Sequence, residues 1–272
     1  DGKMNNLISV VVTCYNHEKY IEQCLRSVFN QTYTNIELIV LDDGSTDSST
    51  QIIQEVLKDS PFETRFETHE NLGVVNNRNL GLELIRGDYL LFVDSDNYLD
   101  ADYVEQLYNK LTETNADIVY CDLYNPEKEE IYLKSREFDL TAFLNASFID
   151  NCSLVRRSII GNARYDEMLN RKKLEDYDFL LNLIINNGAK AVYQPSTKLN
   201  YRVFETGSIS GRDSVRYHYE IYLDILEKYL DKLPHEVYKA ICENLMVLEE
   251  RLNSLLKLRS EVTDYVNRLK KE

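Results

Sequence analysis

The sequence has 272 residues, of which 43 % are hydrophobic, and it contains only 9 glycines and 4 prolines. This length and composition exclude a disordered chain and favour one large α/β domain, or one domain with an appendage. The formal net charge of −15 argues against a nucleic-acid partner, because neutralising phosphates requires a basic surface.

Cysteine, histidine and hydropathy patterns exclude further classes. The five cysteines are odd in number, scattered and without C-x-x-C spacing, which indicates a reducing compartment and no disulfide framework or zinc site. The four histidines lie far apart without H-E-x-x-H, so zinc hydrolysis has little support. No apolar run approaches the roughly 18 residues of a transmembrane helix. We expect a cytoplasmic protein, with peripheral attachment at the inner membrane face as an alternative.

The first hundred residues alternate between strand and helix patterns. Apolar, β-branched runs predict strands at 8–13, 36–41, 65–69 and 89–93. Apolar residues at helical spacing predict helices at 18–29, 51–57 and 74–85. This alternation predicts a mainly parallel sheet with right-handed crossovers, that is, an α/β fold.

The second half of the chain is less regular. It begins with a predicted helix at 101–111 and a strand at 117–122, and residues 139–200 mix short elements, including a helix at 176–186. From Arg212 the chain reads as almost entirely helical. Apolar residues of the last helix follow nearly a heptad, at Leu245, Leu248, Leu252, Leu255, Val262, Val266 and Leu269. This helix either packs on its own domain or forms a coiled-coil-like partner surface, which includes homo-oligomerisation.

Ligands of open parallel sheets bind at the carboxyl ends of the strands. The candidate pocket is therefore formed by the residues directly after the first, second and fourth strands, namely 13–16, 42–43 and 94–96. Neither G-x-G-x-x-G nor G-x-x-x-x-G-K-[ST] occurs there, which disfavours a dinucleotide site and a P-loop. An aromatic residue, carboxylates and a later arginine suit a planar base and a metal-bound diphosphate.

The pattern D-x-D occurs three times, so its context has to distinguish the copies. Asp94/Asp96 comes directly after a buried strand, where both carboxylates could reach a pocket floor. Asp100/Asp102 stands at the start of a helix, where acidic side chains meet the helix dipole, and we expect capping and solvation there. Asp176/Asp178 also opens a helix.

Two long segments resemble the nucleotide-binding half of family 2 glycosyltransferases with the GT-A fold. They are "ISVVVTCYNHEKYIEQCLRSVFNQTYTNIELIVLDDGSTD" and "NLGVVNNRNLGLELIRGDYLLFVDSDNYL". The resemblance is dense over residues 7–125 and returns at "DNCSLVRRS", "LEDYDFLLNLI" and "LNYRVFETGSIS". It implies a GT-A domain at 4–211, divided into a nucleotide-sugar-binding half (4–125) and an acceptor half with a lid (126–211). Residues 212–272 form a C-terminal helical region outside the resemblance.

The family implies nucleotide contacts for the matching residues. Tyr15 would stack on the uracil, and Asp43, the second acid of "DDGS", would accept a hydrogen bond from the uracil N3–H. The nucleotide-binding set is completed by Thr13, Glu18, Arg78 and Ser95, with Glu18 as a ribose contact.

The same resemblance implies the chemistry. Asp96, helped by Asp94, would hold Mn²⁺ or Mg²⁺ between the two phosphates of a UDP-sugar. Asp176 of the "ED" motif would act as general base, with Glu175 beside it. Arg202 and Ser208 match a segment that closes over the diphosphate. Where some relatives carry a histidine metal ligand in this segment, the present sequence has none.

Three functions are compared on this basis. The first is an inverting transferase that moves a hexose (glucose, galactose or an N-acetyl form) to a hydroxyl of a glycan, glycoprotein or lipid-linked acceptor. The second is a catalytically silent nucleotide-sugar-binding or scaffold protein, against which the presence of Asp96 and Asp176 argues. The third is a sugar-1-phosphate nucleotidyltransferase, which needs a glycine-rich basic loop after the first strand, and "TCYN" is not one.

Overall fold

A computed structural model of the protein describes residues 6–204 and 215–271. Their contacts divide them into two compact units. The larger unit contains 6–138 and 147–204 and carries the β-sheet, and the smaller contains 139–146 and 215–271 and is helical. The predicted division at residue 211 stays a prediction.

The strands of the larger unit are β1 (Ile8–Cys14), β2 (Ile36–Asp42), β3 (Glu63–Thr68), β4 (Tyr89–Asp94), β5 (Tyr98–Leu99), β6 (Ile118–Asn125), β7 (Glu130–Leu133), β8 (Leu154–Arg156) and β9 (Ala191–Asn200). They form one mixed sheet in the order β3-β2-β1-β4-β8-β6-β9-β5, with β7 paired to β6. The neighbours β1, β2, β3 and β4 are parallel, as are β6 and β9.

Helices connect the strands of this unit. They are α1 (Ile21–Phe29), α2 (Ser49–Val56), α3 (Val74–Leu84), α4 (Tyr103–Thr114), α6 (Arg157–Ile160) and α7 (Glu175–Leu181), with a π-helical turn at Asn182–Asn186 after α7. The smaller unit contributes α5 (Leu140–Asn145), α8 (Val215–Glu227) and α9 (His235–Leu269). The α/β fold with a mainly parallel sheet and C-terminal helices is thereby confirmed.

The centre of the sheet is buried on both faces, which explains the unbroken apolar runs of the sequence. All seven residues of β2 are buried, and β1 and β4 each keep only one partly exposed residue. Helix α1 packs on this centre through residues at helical spacing, namely Ile21, Cys24, Leu25 and Val28. The rigid centre therefore determines where the loops after β1, β2 and β4 emerge.

One predicted helix start and one strand without a prediction differ from the structure for local reasons. Helix α1 begins at Ile21 instead of 18, because Asn16 has a left-handed φ of 52° and the N–H groups of Tyr20 and Ile21 donate to the carbonyl of His17. Strand β8 was not predicted, since it has only three residues and pairs antiparallel to both β4 and β6.

The helical unit has an apolar centre of its own. Helix α8 buries Ile221, Ile225 and Leu226, and the hydroxyl of Tyr222 donates to the carbonyl of Leu144 in α5. Helix α9 buries Ile241. Among the described residues, no helix combines the length and hydropathy that crossing a membrane requires.

Candidate active site

One pocket opens at the carboxyl edge of the parallel strands. The register pairs Thr13 of β1 with Leu41 of β2 and with Asp94 of β4, so the three strands end side by side. The residues that line the pocket come from these strand ends, from α3 and from α7, and they are Thr13, Cys14, Tyr15, His17, Asp43, Val74, Asn77, Arg78, Asp94, Asp96 and Glu175. The pocket therefore brings together six of the predicted site residues, which are Thr13, Tyr15, Asp43, Arg78, Asp94 and Asp96.

Asp43 and Tyr15 form the end of the pocket next to β2. The Asp43 carboxylate is buried and accepts hydrogen bonds from the backbone N–H groups of Leu72 (2.7 Å) and Gly73 (3.1 Å). Gly73 precedes α3 with a φ of +90°, a conformation that glycine adopts without strain. The Tyr15 side chain is 47 % exposed, so a ring face is available to a ligand in the same pocket as a fixed carboxylate.

Arg78 joins the two acidic motifs of the site. It is buried, and its guanidinium lies 3.3 Å from Asp94 Oδ1 and 3.1 Å from Glu175 Oε1. Burial alone would lower the pKa of Arg78, but Asp94, Tyr165, Glu175 and Asp176 together raise it. The guanidinium lies 5.5 Å from the centroid of the Tyr165 ring. Arg78 therefore stays charged and holds β4 and α7 at a fixed distance.

The two acids of the strand-end motif, Asp94 and Asp96, present carboxylate oxygens to the pocket. Both line the pocket, and Asp94 Oδ1 also accepts a hydrogen bond from the Thr13 hydroxyl at 3.2 Å. Burial, with the neighbouring charge of Asp94, raises the pKa of Asp96. Within 6–204 and 215–271 no third histidine, cysteine or acid completes a cluster of three ligands. Two carboxylates fit Mg²⁺ or Mn²⁺ nevertheless, because such ions commonly take their other ligands from substrate phosphates and water.

Helix α7 starts with the acids Glu175 and Asp176, after a residue in an unusual conformation. Leu174 has a left-handed φ of 63°. This backbone conformation costs free energy for a residue with a bulky side chain, and residues that adopt it are concentrated at functional sites. Glu175 lines the pocket, whereas Asp176 does not and accepts a hydrogen bond from the N–H of Tyr177 at 2.9 Å. Burial raises the pKa of both carboxyls, which favours proton uptake.

Arg202 is not among the residues that line the pocket, and it binds the backbone of the strand-end motif. Its Nη1 donates to the carbonyl of Asp96 at 2.7 Å and its Nε to Glu127 at 3.0 Å. The guanidinium also contacts the rings of Tyr20 and Tyr98, at 4.5 and 5.5 Å from their centroids. The predicted diphosphate contact of Arg202 stays a prediction. Ser208 lies outside the described residues.

Two further predicted residues do not line the pocket. Ser95 is fully buried, and its hydroxyl bonds with His17 Nδ1 at 2.6 Å. Glu18 lies in a neighbouring depression, where its carboxylate accepts a hydrogen bond from the N–H of Ser48 at 2.9 Å. Both residues position loops in this structure, and their predicted nucleotide contacts stay predictions.

The second D-x-D copy differs from the expected helix cap. Asp100 accepts hydrogen bonds from Lys198 Nζ at 3.2 Å and Asn200 Nδ2 at 2.9 Å, both on β9. Asp102 precedes α4 but makes no capping hydrogen bond, and its carboxylate accepts one from Gln106 Nε2 at 3.2 Å. The pair therefore connects parts of the scaffold.

Sequence reasoning missed several groups around the pocket. His17, Val74 and Asn77 line it but carry no motif signal, although His17 lies in the loop after β1 and the other two lie in the first turn of α3. Asp150 comes after α5 in the irregular region, and it accepts a hydrogen bond from the N–H of Cys152 at 2.8 Å. Burial, opposed by this bond and assisted by Asp94 and Asp176, raises the pKa of Asp150 to about 7. Only the folded chain brings this carboxyl next to the site.

Known proteins share this sequence pattern. Residues 9–177 match the family described as "Glycosyl transferase family 2". An uncharacterized glycosyltransferase of Haemophilus influenzae is 36 % identical over 183 residues, which cover 65 % of this chain and 72 % of the relative. The glycosyltransferase GlyA of Streptococcus pneumoniae is 41 % identical over 127 residues, 47 % of this chain but only 18 % of GlyA. The chain thus spans most of one relative and a small part of the other.

Solved structures share the fold. S. aureus TarS has a TM-score of 0.67 at 22 % identity, covering 88 % of this chain and 43 % of that one. TarS 1–349, solved in complex with UDP-GlcNAc, has a TM-score of 0.61 at 20 % identity, covering 92 % and 83 %. With more than half of its residues matched to the family and this fold around the pocket, the chain belongs to the family 2 glycosyltransferases and is a GT-A transferase enzyme.

Proposed function

We propose that the protein transfers a hexose from a UDP-sugar to an acceptor hydroxyl with inversion, by a single displacement in which Asp176 is the general base. The observation that carries this proposal is the single pocket shared by Tyr15, Asp43, Asp94 and Asp96, with the start of α7 at its wall. The Tyr15 ring can stack on a base, and the fixed Asp43 carboxylate can accept a hydrogen bond from the edge of that base. The carboxylates of Asp94 and Asp96 can hold a cation that binds the diphosphate.

The Tyr15 end of the pocket would bind the base. The exposed ring offers a stacking face, and two backbone N–H groups hold the Asp43 carboxylate in place. Uracil presents its N3–H to such an acceptor. The UDP-GlcNAc complex of TarS 1–349 supports a UDP-sugar as donor for this fold.

Asp94 and Asp96 would hold Mn²⁺ or Mg²⁺ together with the diphosphate. When bound, the cation offsets the negative charge of the leaving UDP. It also removes the repulsion between a diphosphate and the carboxylates of the pocket. Arg78 keeps Asp94 in place, since it bonds to the same Oδ1 atom that accepts the Thr13 hydrogen bond.

Proton transfer is assigned to Asp176. Glu175 already pairs with Arg78, so its carboxylate is engaged, whereas Asp176 accepts a hydrogen bond from the neighbouring N–H of Tyr177. The acceptor hydroxyl gives its proton to Asp176 while its oxygen bonds to the anomeric carbon. The bond from that carbon to the phosphate oxygen breaks, and its electron pair leaves with UDP. Attack opposite the leaving group inverts the configuration.

The acceptor is proposed as a class only: a glycan, a glycoprotein or a lipid-linked intermediate. Curated relatives include the teichoic acid poly(glycerol phosphate) polymerase of Staphylococcus epidermidis (29 % identity over 189 residues) and a chondroitin synthase of Escherichia coli (40 % over 99 residues). These names span teichoic acid and chondroitin polymers, which supports a glycan acceptor.

The experiment is a UDP-release assay with UDP-glucose, UDP-galactose and their N-acetyl forms, each with Mn²⁺ or with EDTA. We expect one donor to be preferred, release to require the cation, and Asp176→Asn to abolish it. Asp178→Asn is the matched control, two residues along the same helix, provided that circular dichroism shows a folded variant.

Two outcomes would contradict the proposal. Equal, slow release by the wild type and by Asp176→Asn with every donor would favour the alternative, a catalytically silent nucleotide-sugar-binding protein. Full release in EDTA would remove the cation role of Asp94 and Asp96.

A further inference from the structure

The C-terminal half of α9 has no packing partner within the described residues. Up to Leu252 the helix has partly buried residues, and Ile241 is fully buried. From Asn253 to Lys271 every residue is exposed. We call residues 253–269 the arm.

The arm carries an apolar stripe that follows nearly a coiled-coil repeat. The stripe consists of Leu255, Leu258, Val262, Tyr265, Val266 and Leu269, each between 40 and 59 % exposed. It continues the series Ile241, Leu245, Leu248 and Leu252, which is buried or partly buried, with one irregularity: Arg259 occupies the heptad position between Leu255 and Val262, and Leu258 stands beside it. The apolar stripe therefore extends beyond the part of the helix that its own unit covers.

Such a stripe needs a partner. Six half-exposed apolar side chains present on the order of 500 Å², near the upper end of the largest apolar patches on monomers. Most helical stability in proteins comes from packing an apolar face, so a solvated arm of this kind would be marginal. Two stripes packed together bury on the order of 1,000 Å², which reaches the lower limit for a specific interface.

The charges on the arm favour a protein partner over a lipid surface. The arm contains three basic and two acidic side chains: Lys257 and Glu261 stand four residues apart, as do Asp264 and Arg268, and Arg259 is the fifth. The further basic residues Lys270 and Lys271 follow the last residue of α9, where positive charge complements the helix dipole. Membrane-surface helices instead collect lysine and arginine on the polar face. Mixed charges at this spacing are typical of the solvent side of a coiled coil.

We propose that the arm stripe binds the arm stripe of a second copy of this chain, so that the protein self-associates through α9. A second copy supplies an apolar stripe of equal length and identical spacing, so each apolar side chain can meet an equivalent one on the partner. Most soluble oligomers are built from identical chains. This inference is independent of the reaction proposed for the pocket.

The test is sedimentation equilibrium of the full chain between about 1 and 100 μM, comparing wild type with Val262→Glu and Ser260→Glu. Both variants place one glutamate in the arm, the first within the stripe and the second outside it. We expect a wild-type dimer or higher oligomer, a loss of affinity on the order of 100-fold for Val262→Glu, and an unchanged mass for Ser260→Glu. Far-ultraviolet circular dichroism and UDP release report whether each variant is folded.

Salt and vesicles separate the two partner classes. Residues 253–271 contain five basic and two acidic side chains, so association between arms should persist or strengthen at 0.5 M NaCl. A wild type that stays monomeric throughout the range, or a Val262→Glu variant with wild-type mass, overturns the proposal. Monomeric wild type that cosediments with phosphatidylglycerol vesicles and is released by salt would assign the stripe to lipid instead.

Discussion

The segment between β4 and α4 contains the same acidic pattern twice, six residues apart, in two different environments. Asp94 and Asp96 face the pocket, where Arg78 and Thr13 contact Asp94. Asp100 faces β9 and binds Lys198 and Asn200. Composition and spacing are equal, but one pair lies where three parallel strands end and the other lies beyond that edge.

The end of the sheet, and not the motif, makes an acid available to a ligand. Asp94 and Asp96 at the edge line the pocket, and Asp94 pairs with the buried Arg78. Acids in the scaffold have their oxygens occupied by protein donors. Substitution should therefore separate pocket acids from scaffold acids, with activity as one readout and stability as the other.

Asp176→Asn should have the strongest effect on activity. If Asp176 takes the acceptor proton, the neutral amide should lower kcat by about 10³-fold, with little change in KM for the donor. Steady-state transfer kinetics measure both constants. Asp178→Asn should keep kcat within a few-fold of wild type, and equal losses in the two variants would place Asp176 among the scaffold acids.

Asp96→Asn should lower kcat/KM by about 10²-fold if Asp96 holds the cation as proposed, because one of its two carboxylate ligands is then lost. Asp100→Asn breaks a partly exposed pair and should leave kcat/KM within a few-fold while lowering the free energy of unfolding by up to about 1 kcal/mol. Activity measured as a function of Mn²⁺ concentration reports the effect of Asp96→Asn, and urea unfolding reports the effect of Asp100→Asn on stability. The distinction between pocket and scaffold fails if Asp100→Asn loses activity as strongly as Asp96→Asn.

Asp150 extends the contrast to pH, because it is a scaffold acid next to the pocket. Its pKa rises from 3.8 to about 7 on folding. The folded protein therefore keeps a proton that the unfolded chain releases between about pH 4 and 7, so this group makes stability fall as pH rises through that window. The free energy of unfolding of Asp150→Asn, relative to that of the wild type, should therefore be higher at pH 8 than at pH 5.

Urea unfolding in EDTA, without donor, at both pH values measures this difference. Parallel stability curves for the two proteins would show that Asp150 ionises in the folded state as it does in the unfolded chain.

Glu18→Gln should have the weakest effect of the series. The Glu18 carboxylate accepts a hydrogen bond from the N–H of Ser48, and the amide oxygen of glutamine can accept the same bond. Donor KM should change by about two-fold or less. An increase of ten-fold or more in KM, at constant kcat, would instead support the ribose contact that the family resemblance implies.

Much of the fold could be predicted from hydropathy. Strands β1, β2 and β4 are apolar runs because both faces are covered, and their predicted ends lie within one residue of the observed ones. The short strands β5, β7 and β8 could not be predicted, since two to four residues carry too little periodicity. Their pairing depends on long-range neighbours.

The candidate site divides in the same way. Asp43, Asp94 and Tyr15 were predicted to meet because parallel strands end at one edge. Ser95 and Arg202 do not line the pocket in this structure, since side-chain direction depends on partners such as His17 and the carbonyl of Asp96.

The resemblance of the ordered motifs to a known family predicted the class of enzyme, and hydropathy predicted the strand ends at which its pocket opens, because apolar runs mark strands that are buried on both faces. Long-range contacts were needed to establish that Arg78 joins the strand-end acids to Glu175, that Asp150 lies beside them, and that the arm of α9 extends beyond its own core. Burial and charge pairing arise between residues distant in the chain, so no local pattern contains them.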